Sequence, residues 1–268
     1  MAFVQSVQSN QSGTHSNMTL VWTPTAGNSA TVWFLTHTGS AYPVTISDTA
    51  GNTYVALSSN PYQPNGVSPN FGISGWTIAT LIGGSQTITV GYNGLVSDAD
   101  TIAVQEWSGR NASALLDVAL VTGALEASNT LSHSTGSITT ATAGDDIVAC
   151  NGTSISQFTT QTFTAGSGWS LTDSFNNTSG IVGCTQRIEN AAAGTYNDTW
   201  SQSANGCKGF SVILALAKST GGGGGASLLL DSNADGGMST MEGGMTCRPR
   251  TSPRIFLPPR NILVPAHL

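Results

Sequence analysis

The chain has 268 residues, of which only 8% are charged, and eight Lys and Arg against fourteen Asp and Glu give a formal charge of -6. That balance excludes a broad phosphate-neutralising surface for nucleic acid, and six Trp among many Gly, Ser and Thr leave enough large apolar groups for a core, against collagen, coiled coil or wholesale disorder. No apolar run approaches the roughly 18 residues of a membrane span; the longest, Phe210 to Ala217, is broken by Ser211 and fits one buried strand.

The start, Met1-Ala2-Phe3-Val4-Gln5, has no basic segment and no extended apolar stretch. It predicts a chain used where it is made, such as in a particle assembled in a host cytoplasm, unless a signal has been removed. Period-two alternation then runs from residue 3 to about 218, with strands expected at Thr19 to Trp22, Thr31 to Thr36, Gly75 to Leu81 and Thr87 to Tyr92. Others follow at Thr101 to Trp107, Asp146 to Cys150, Gly180 to Ile188 and Phe210 to Ala217. Turn residues such as Thr-Ala-Gly-Asn, Asn-Gly and Gly-Gly separate them. Ala112 to Leu120 is the one segment with any helical character, and it lacks a sustained 3.6-residue pattern. Cys150, Cys184 and Cys207 leave an odd count in the body, which reads as small buried hydrophobes on strands.

The body also repeats itself. Thr25-Ala26-Gly27-Asn28 is echoed by Thr142-Ala143-Gly144-Asp145, Thr49-Ala50-Gly51-Asn52-Thr53-Tyr54 by Thr164-Ala165-Gly166-Ser167-Gly168-Trp169, and Gly84-Ser85-Gln86-Thr87 by Gly194-Thr195-Tyr196-Asn197. The fold expected is all-β: a jelly-roll-like antiparallel β-sandwich with an internal pseudo-repeat, its halves about 3–120 and 121–218 within a body of 1–219. One large sandwich and two stacked ones both fit the duplication. The absence of linker-like composition near residue 120 favours one.

After Lys218 the composition changes. Residues 220–246 form a Gly-rich linker, and 247–268 an extended arm carrying half of the basic residues and half of the prolines. Ile255-Phe256-Leu257 and Ile262-Leu263-Val264, flanked by Arg254 and Arg260, are two apolar triplets. Burying six such side chains contributes roughly 1.5–3 kcal/mol each, against about 1–2 kcal/mol per residue of backbone ordering, so the terms nearly cancel. Such an arm needs backbone hydrogen bonds along a neighbour's sheet edge, or several simultaneous contacts. A disordered tail is the bland alternative, and the triplets argue against it.

Asp231, Asn233, Asp235 and Glu242 satisfy the spacing of an EF-hand calcium loop, with Gly236 for the sharp turn and the Gly237 carbonyl as a further ligand. Flanking helices are missing, so calcium binding in the roughly millimolar range is expected; Asp/Gly-rich linkers also produce such strings by chance. No other cofactor is implied. His15, His37, His133 and His267 have no metal-ligand spacing, and no nucleophile elbow or phosphate loop exists. His37 reads as a strand-end surface residue. Asp98 and Asp100 with Glu106 form a glycosidase-like carboxylate set, with a solvated turn and a rim carboxylate as the plainer reading. Trp76, Trp107, Trp169 and Trp200 read as core, or as a sugar-stacking platform.

Thr49 to Tyr54, Glu106-Trp107-Ser108-Gly109 followed by Leu116-Asp117, and Thr164 to Trp169 together resemble a Ser/Thr/Gly-rich jelly-roll or Ig-like β-sandwich domain of bacterial exported proteins and tailed-phage structural proteins. The resemblance covers about residues 3 to 217. It implies a surface role and supplies no catalytic residue. The resulting expectation is a non-enzymatic bacteriophage virion surface protein, as capsid decoration, head fibre or tail-associated module. Its arm would anchor it to the capsid shell or to sister subunits of a homo-oligomer, with a trimer as the first guess. The alternative is an extracellular carbohydrate-binding or adhesive module of a secreted bacterial protein, with surface glycans as partners.

Overall fold

The computed structural model describes residues 2–37, 43–58, 62, 71–96, 99–154, 160–177, 181–204 and 206–219. The chain divides into two units, Met1–Gly221 and Gly222–Leu268, and the second lies outside the described residues. The first is all-β, with antiparallel pairing throughout. Its strands are β1 (Phe3–Ser12), β2 (His15–Trp22), β3 (Ser29–His37), β4 (Pro43–Asp48), β5 (Val55–Ala56), β6 (Phe71–Ile78), β7 (Gln86–Val96) and β8 (Ala99–Trp107). They continue as β9 (Leu116–Thr122), β10 (Ser132–Thr140), β11 (Asp145–Ser154), β12 (Phe163–Ala165), β13 (Ser170–Asn177), β14 (Ile181–Ala191), β15 (Gly194–Gln202) and β16 (Lys208–Leu216).

The sheet order displays the duplication. β1-β8-β3-β6-β5 and β2-β7-β4 make up the first half, and β9-β16-β11-β14-β13 and β10-β15-β12 the second. Each strand of the second half occupies the place of the strand eight earlier in the chain. The last strand lies between the first and third, and the seventh between the second and fourth. The second half begins with β9 at Leu116, slightly before the boundary expected near residue 121, because Leu116–Thr122 is a strand rather than the tail of the preceding half. It also settles the Ala112 to Leu120 segment, which is a turn leading into β9.

Three layers of core explain the packing. Met18, Leu20 and Trp22 of β2, with Ile88 and Val90 of β7, meet Val32, Phe34, Ile78, Ile102 and Val104 of the five-stranded sheet. Ile138, Ile147, Ala149, Trp169, Ile213 and Ala215 fill the matching space in the second half, extended by Phe163, Val182, Cys184 and Trp200. A third core lies between the two five-stranded sheets: Trp33, Leu35, Phe71, Ile73, Ala103 and Trp107 face Val148, Cys150, Phe175, Phe210, Val212 and Leu214. The body is thus two stacked sandwiches rather than the single one expected from the missing linker composition: they share this core, so no linker is needed between them. Strand β3 shows the consequence locally. Val32 and Phe34 point into the first sandwich, Trp33 and Leu35 into the shared core, and all nine residues are buried.

A polar seam crosses the shared core. Gln105, fully buried on β8, donates through Nε2 to Thr185 Oγ1 at 2.7 Å and to Asp173 Oδ2 at 3.3 Å. Its Oε1 accepts from Thr31 Oγ1 at 3.1 Å and Trp33 Nε1 at 3.3 Å. Asp173 also accepts from Thr185 at 2.9 Å and from Ser6 Oγ, 2.8 and 2.6 Å from its two oxygens. The connection between halves is fixed by Arg110, whose buried guanidinium pairs with buried Asp146 at 3.1 Å and donates to Leu216 O at 3.2 Å. Ser219 N donates to Gly109 O at 3.2 Å, which ties the end of the described body to this connection.

Candidate functional site

The carboxylates that suggested glycosidase chemistry do not converge. Asp100 and Glu106 lie on β8 six positions apart, which separates them by roughly 20 Å, against roughly 5–9.5 Å for working pairs. Neither is solvated: both are fully buried, which corrects the expectation of a turn and a rim residue. Glu106 accepts from Thr25 N at 3.0 Å, Asn28 Nδ2 at 2.6 Å and Gln5 Nε2 at 2.5 Å, tying β1 and the turn before β3 to β8. Asp98 is outside the described residues.

Asp100 sits with His15 and Tyr92. His15 Nδ1 is 2.6 Å from the Gly13 carbonyl and Nε2 is 2.7 Å from Asp100 Oδ2, while Tyr92 donates to the same Oδ2 at 2.8 Å. A carbonyl only accepts, so Nδ1 carries a hydrogen and Nε2 is engaged by the carboxyl group. Both ring nitrogens are thus committed, leaving no lone pair to activate a serine. Burial pushes the Asp100 carboxyl above the usual range, and hydrogen bonds from Thr36, Tyr92 and His15 pull it back.

His133 has a related arrangement in the second half. Its Nδ1 lies 2.7 Å from Glu126 Oε2, and its ring stacks on Trp200 with centroids 3.9 Å apart. Glu126 also accepts from Ser134 N at 2.8 Å and Gly209 N at 2.9 Å. His133 Nε2 is buried with no hydrogen-bond partner among the described residues, so no hydroxyl nucleophile is positioned on it. His37, expected at the surface, is buried at the end of β3, because both neighbouring strands, β6 and β8, extend alongside it. Cys150, Cys184 and Cys207 are buried, with burial raising each thiol.

The resemblance motifs have structural work. Asp48, immediately before Thr49, accepts from the backbone N of Ala50, Gly51 and Asn52 at 2.9, 2.6 and 3.1 Å. Its other oxygen accepts from Asn52 Nδ2 at 2.8 Å and Tyr54 OH at 2.7 Å. This turn is therefore a carboxylate held in a cradle of donors. In the second half the left-handed glycine matching Gly51 is Gly168, two residues beyond where the echo of Thr49 in Thr164 would put it, so Ala165 stands in the place of Asp48 and the turn is held through Gln186 instead. Gly166 N donates to Gln186 Oε1 at 3.3 Å, and Gln186 Nε2 donates to Thr199 O at 3.0 Å and to buried Asp198.

That difference shapes the most developed surface feature among the described residues. The outer face of the β10-β15-β12 sheet carries rows of hydroxyls: Ser132, Ser201 and Thr164 are cross-strand neighbours, as are Ser134 and Thr199. Next along β15 stand Asn197 and Thr195, the latter 2.8 Å from Thr139 through their hydroxyls. The Gly166 backbone presses directly on Thr199, and a depression lies on either side of it. One, of about 370 Å³, lies over Ser132, Ser134, Thr164, Thr199 and Ser201. The other, of about 400 Å³, opens along the edge of β15 and is lined by Ser167, Trp169, Thr195, Tyr196, Asn197 and Thr199 together with Ile188 from β14 of the facing sheet. Trp169 Nε1 donates to Asn197 O at 2.9 Å and fixes the indole. No Asp, Glu, Lys or Arg lines either depression; His133 and Trp200 lie beneath the first, both buried.

In the sequence, Thr164, Ser167, Trp169 and Thr195 to Asn197 stand out only as parts of the repeat, Trp169 also as a platform candidate, and Ser132, Ser134, Thr199 and Ser201 do not stand out at all. The signal lay in Gly194 to Ser201, where Thr195, Asn197, Thr199 and Ser201 alternate with Tyr196, Asp198 and Trp200, and in the echo of Gly84 to Thr87 at Gly194 to Asn197. Of the four Trp considered for a platform, Trp76 belongs to the first core and Trp107 to the shared core. Trp200 packs inside the second sandwich, and Trp169, 8% exposed, is the one that borders the second depression through its fixed indole. The calcium-like loop, Asp231, Asn233, Asp235, Gly237 and Glu242, and the arm residues Arg254 to Leu257, Arg260 and Ile262 to Val264 lie outside the described residues. Among the described residues, no cluster of three or more His, Cys, Asp or Glu could hold a metal ion, and no helix is long and apolar enough to cross a membrane. Comparisons with protein-family models, curated proteins and solved structures found no match.

Proposed function

We propose that this chain is a non-enzymatic structural protein of a bacteriophage virion surface, displaying the duplicated body and fastening it through the C-terminal arm to the shell or to sister subunits. The observation carrying this reading is the contrast between the two parts of the chain. The body spends its buried ionisable groups on joining strands: Glu106 on β1 and the first turn, Arg110 on Asp146, and Glu126 on His133 and β16. Such a body supplies stiffness and shape. The arm has the opposite character, being rich in Pro and Arg, with two apolar triplets that gain little by ordering alone.

The resemblance of the body motifs to tailed-phage structural domains supports the same reading. Removing residues 221–268 tests it. The reading expects the truncated chain to fold and to be lost from particles and from any homo-oligomer; unchanged incorporation and oligomerisation would overturn it.

A further inference from the structure

We propose that the outer face of the β10-β15-β12 sheet binds a neutral saccharide, with a sugar unit in each depression on either side of the Gly166 ridge. This assignment rests on that sheet alone and stands whether or not the chain belongs to a particle. Three features lead to it. The first is chemistry. Hydroxyls and an amide dominate the face, with no Asp, Glu, Lys or Arg in either lining and with His133 of the first one turned inward, its side chain buried against Glu126, so an anionic ligand would lose its hydration without gaining an exposed counter-charge, whereas sugar hydroxyls both donate and accept with Ser, Thr and Asn.

The second feature is spacing. Ser132, Ser201 and Thr164 repeat across strands roughly 4.8 Å apart, and Ser201, Thr199, Asn197 and Thr195 repeat every second residue along β15. A ligand with hydroxyls around a ring can meet several of them at once. The third is preorganisation. The ridge is clamped from below by fully buried Gln186, which holds Gly166 N and Thr199 O together and is itself joined to buried Asp198. Trp169, buried in the second-half core, and Tyr196, partly buried against it, border the second depression, and each is fixed by a hydrogen bond to backbone, Trp169 to Asn197 O and Tyr196 OH to Ala192 O at 2.8 Å. A site whose walls are already in place loses little entropy on binding. The two depressions have the dimensions of small-ligand sites.

The test uses the full chain on a printed array of neutral and acidic oligosaccharides, followed by titration calorimetry with the neutral oligosaccharide retained best. Expected are binding that is indifferent to salt and a loss of affinity of about tenfold or more in Tyr196→Ala. Asn197→Ala, whose substitution leaves the backbone acceptor of Trp169 in place, should also weaken binding. Thr89→Ala, on the outer face of the corresponding sheet of the first half, should bind as the parent does. Unfolding midpoints of all three establish that they are folded. Retention of no neutral oligosaccharide, retention of acidic ones alone with loss at high salt, or parent-like binding by both folded Tyr196→Ala and Asn197→Ala would overturn the proposal.

Discussion

Phe210→Ala probes the shared core most sharply. Phe210 is fully buried on β16 of the second half, yet its ring packs edge-on against Phe71 of the first half, centroids 5.3 Å apart at 81°, and lies 6.1 Å from Tyr62. Its removal takes away a whole ring between two sheets whose backbones are pinned by their own ladders, so the cavity cannot readily collapse. The expected loss is about 3–5 kcal/mol. A double-mutant cycle with Phe71→Ala should show coupling of about 0.5–1.5 kcal/mol, the share belonging to the ring pair itself. Urea unfolding followed by tryptophan fluorescence and far-ultraviolet circular dichroism reads both quantities. Because Trp33 and Trp107 occupy the same core as Phe210, the transition should move as one. A loss below about 1 kcal/mol, or separate unfolding of the halves with only the second responding to the substitution, would refute the shared-core reasoning.

Further outcomes follow from the same geometry. Gly152→Ala would place a Cβ 2.5 Å from Phe71 Cε1 and 2.9 Å from Phe210 Cζ, and should cost about 1–3 kcal/mol by overpacking, read by the same urea midpoint. Arg110→Met strands the buried Asp146 carboxylate and should cost about 3–5 kcal/mol at neutral pH; a loss near zero would show the pair to be dispensable. Burial raises Asp100, Asp146 and Asp198 above the ordinary 3.8, so in the window from 3.8 up to their folded values the folded state holds more protons than the unfolded one. Their contribution to stability therefore grows as pH falls from neutral toward about 4, opposed by Asp48 only at lower pH. Burial also acts on Asp48, but hydrogen bonds from Tyr54, Asn52 and the turn hold it below 3.8. Urea midpoints measured across that range should rise on mild acidification, and a steady fall would contradict the assignment. Cys150 and Cys184, buried with raised thiols, should resist alkylation until unfolding exposes them, which peptide mass mapping would reveal.

The legibility of the chain depended on how many faces of a strand are covered. Strand β7 was readable because Ile88 and Val90 are buried while Thr87 and Thr89 are partly exposed, which is the alternation of a half-buried strand. In β8 every residue is buried, so Asp100 and Glu106 could be mistaken for rim groups when they are interior hydrogen-bond hubs. The repeat was visible because turn glycines recur: Gly27 and Gly144, like Gly51 and Gly168, share left-handed backbone at a constant separation of 117 residues. Gly84 and Gly194 are 110 apart, and the change arises where Gly51 and β6 are twenty residues apart but Gly168 and β14 only thirteen. What could not be read was the sharing of one core by the two halves. Odd and even positions of β3, β8, β11 and β16 are all apolar or buried for different partners, and a one-dimensional pattern does not distinguish those partners. The β15 groove was hidden by the commonness of Ser and Thr, which become distinctive only when their rows align across strands.

Hydrogen exchange on the full chain, first dilute and alone and then after assembly, measures most directly whether the C-terminal segment exists to fasten the body elsewhere. The account expects amides of residues 247–268 to exchange freely in the isolated chain and to gain protection in the assembly, while those of β3 and β11 are protected in both. Equal protection of the arm before and after assembly, or no protection in either, would contradict it.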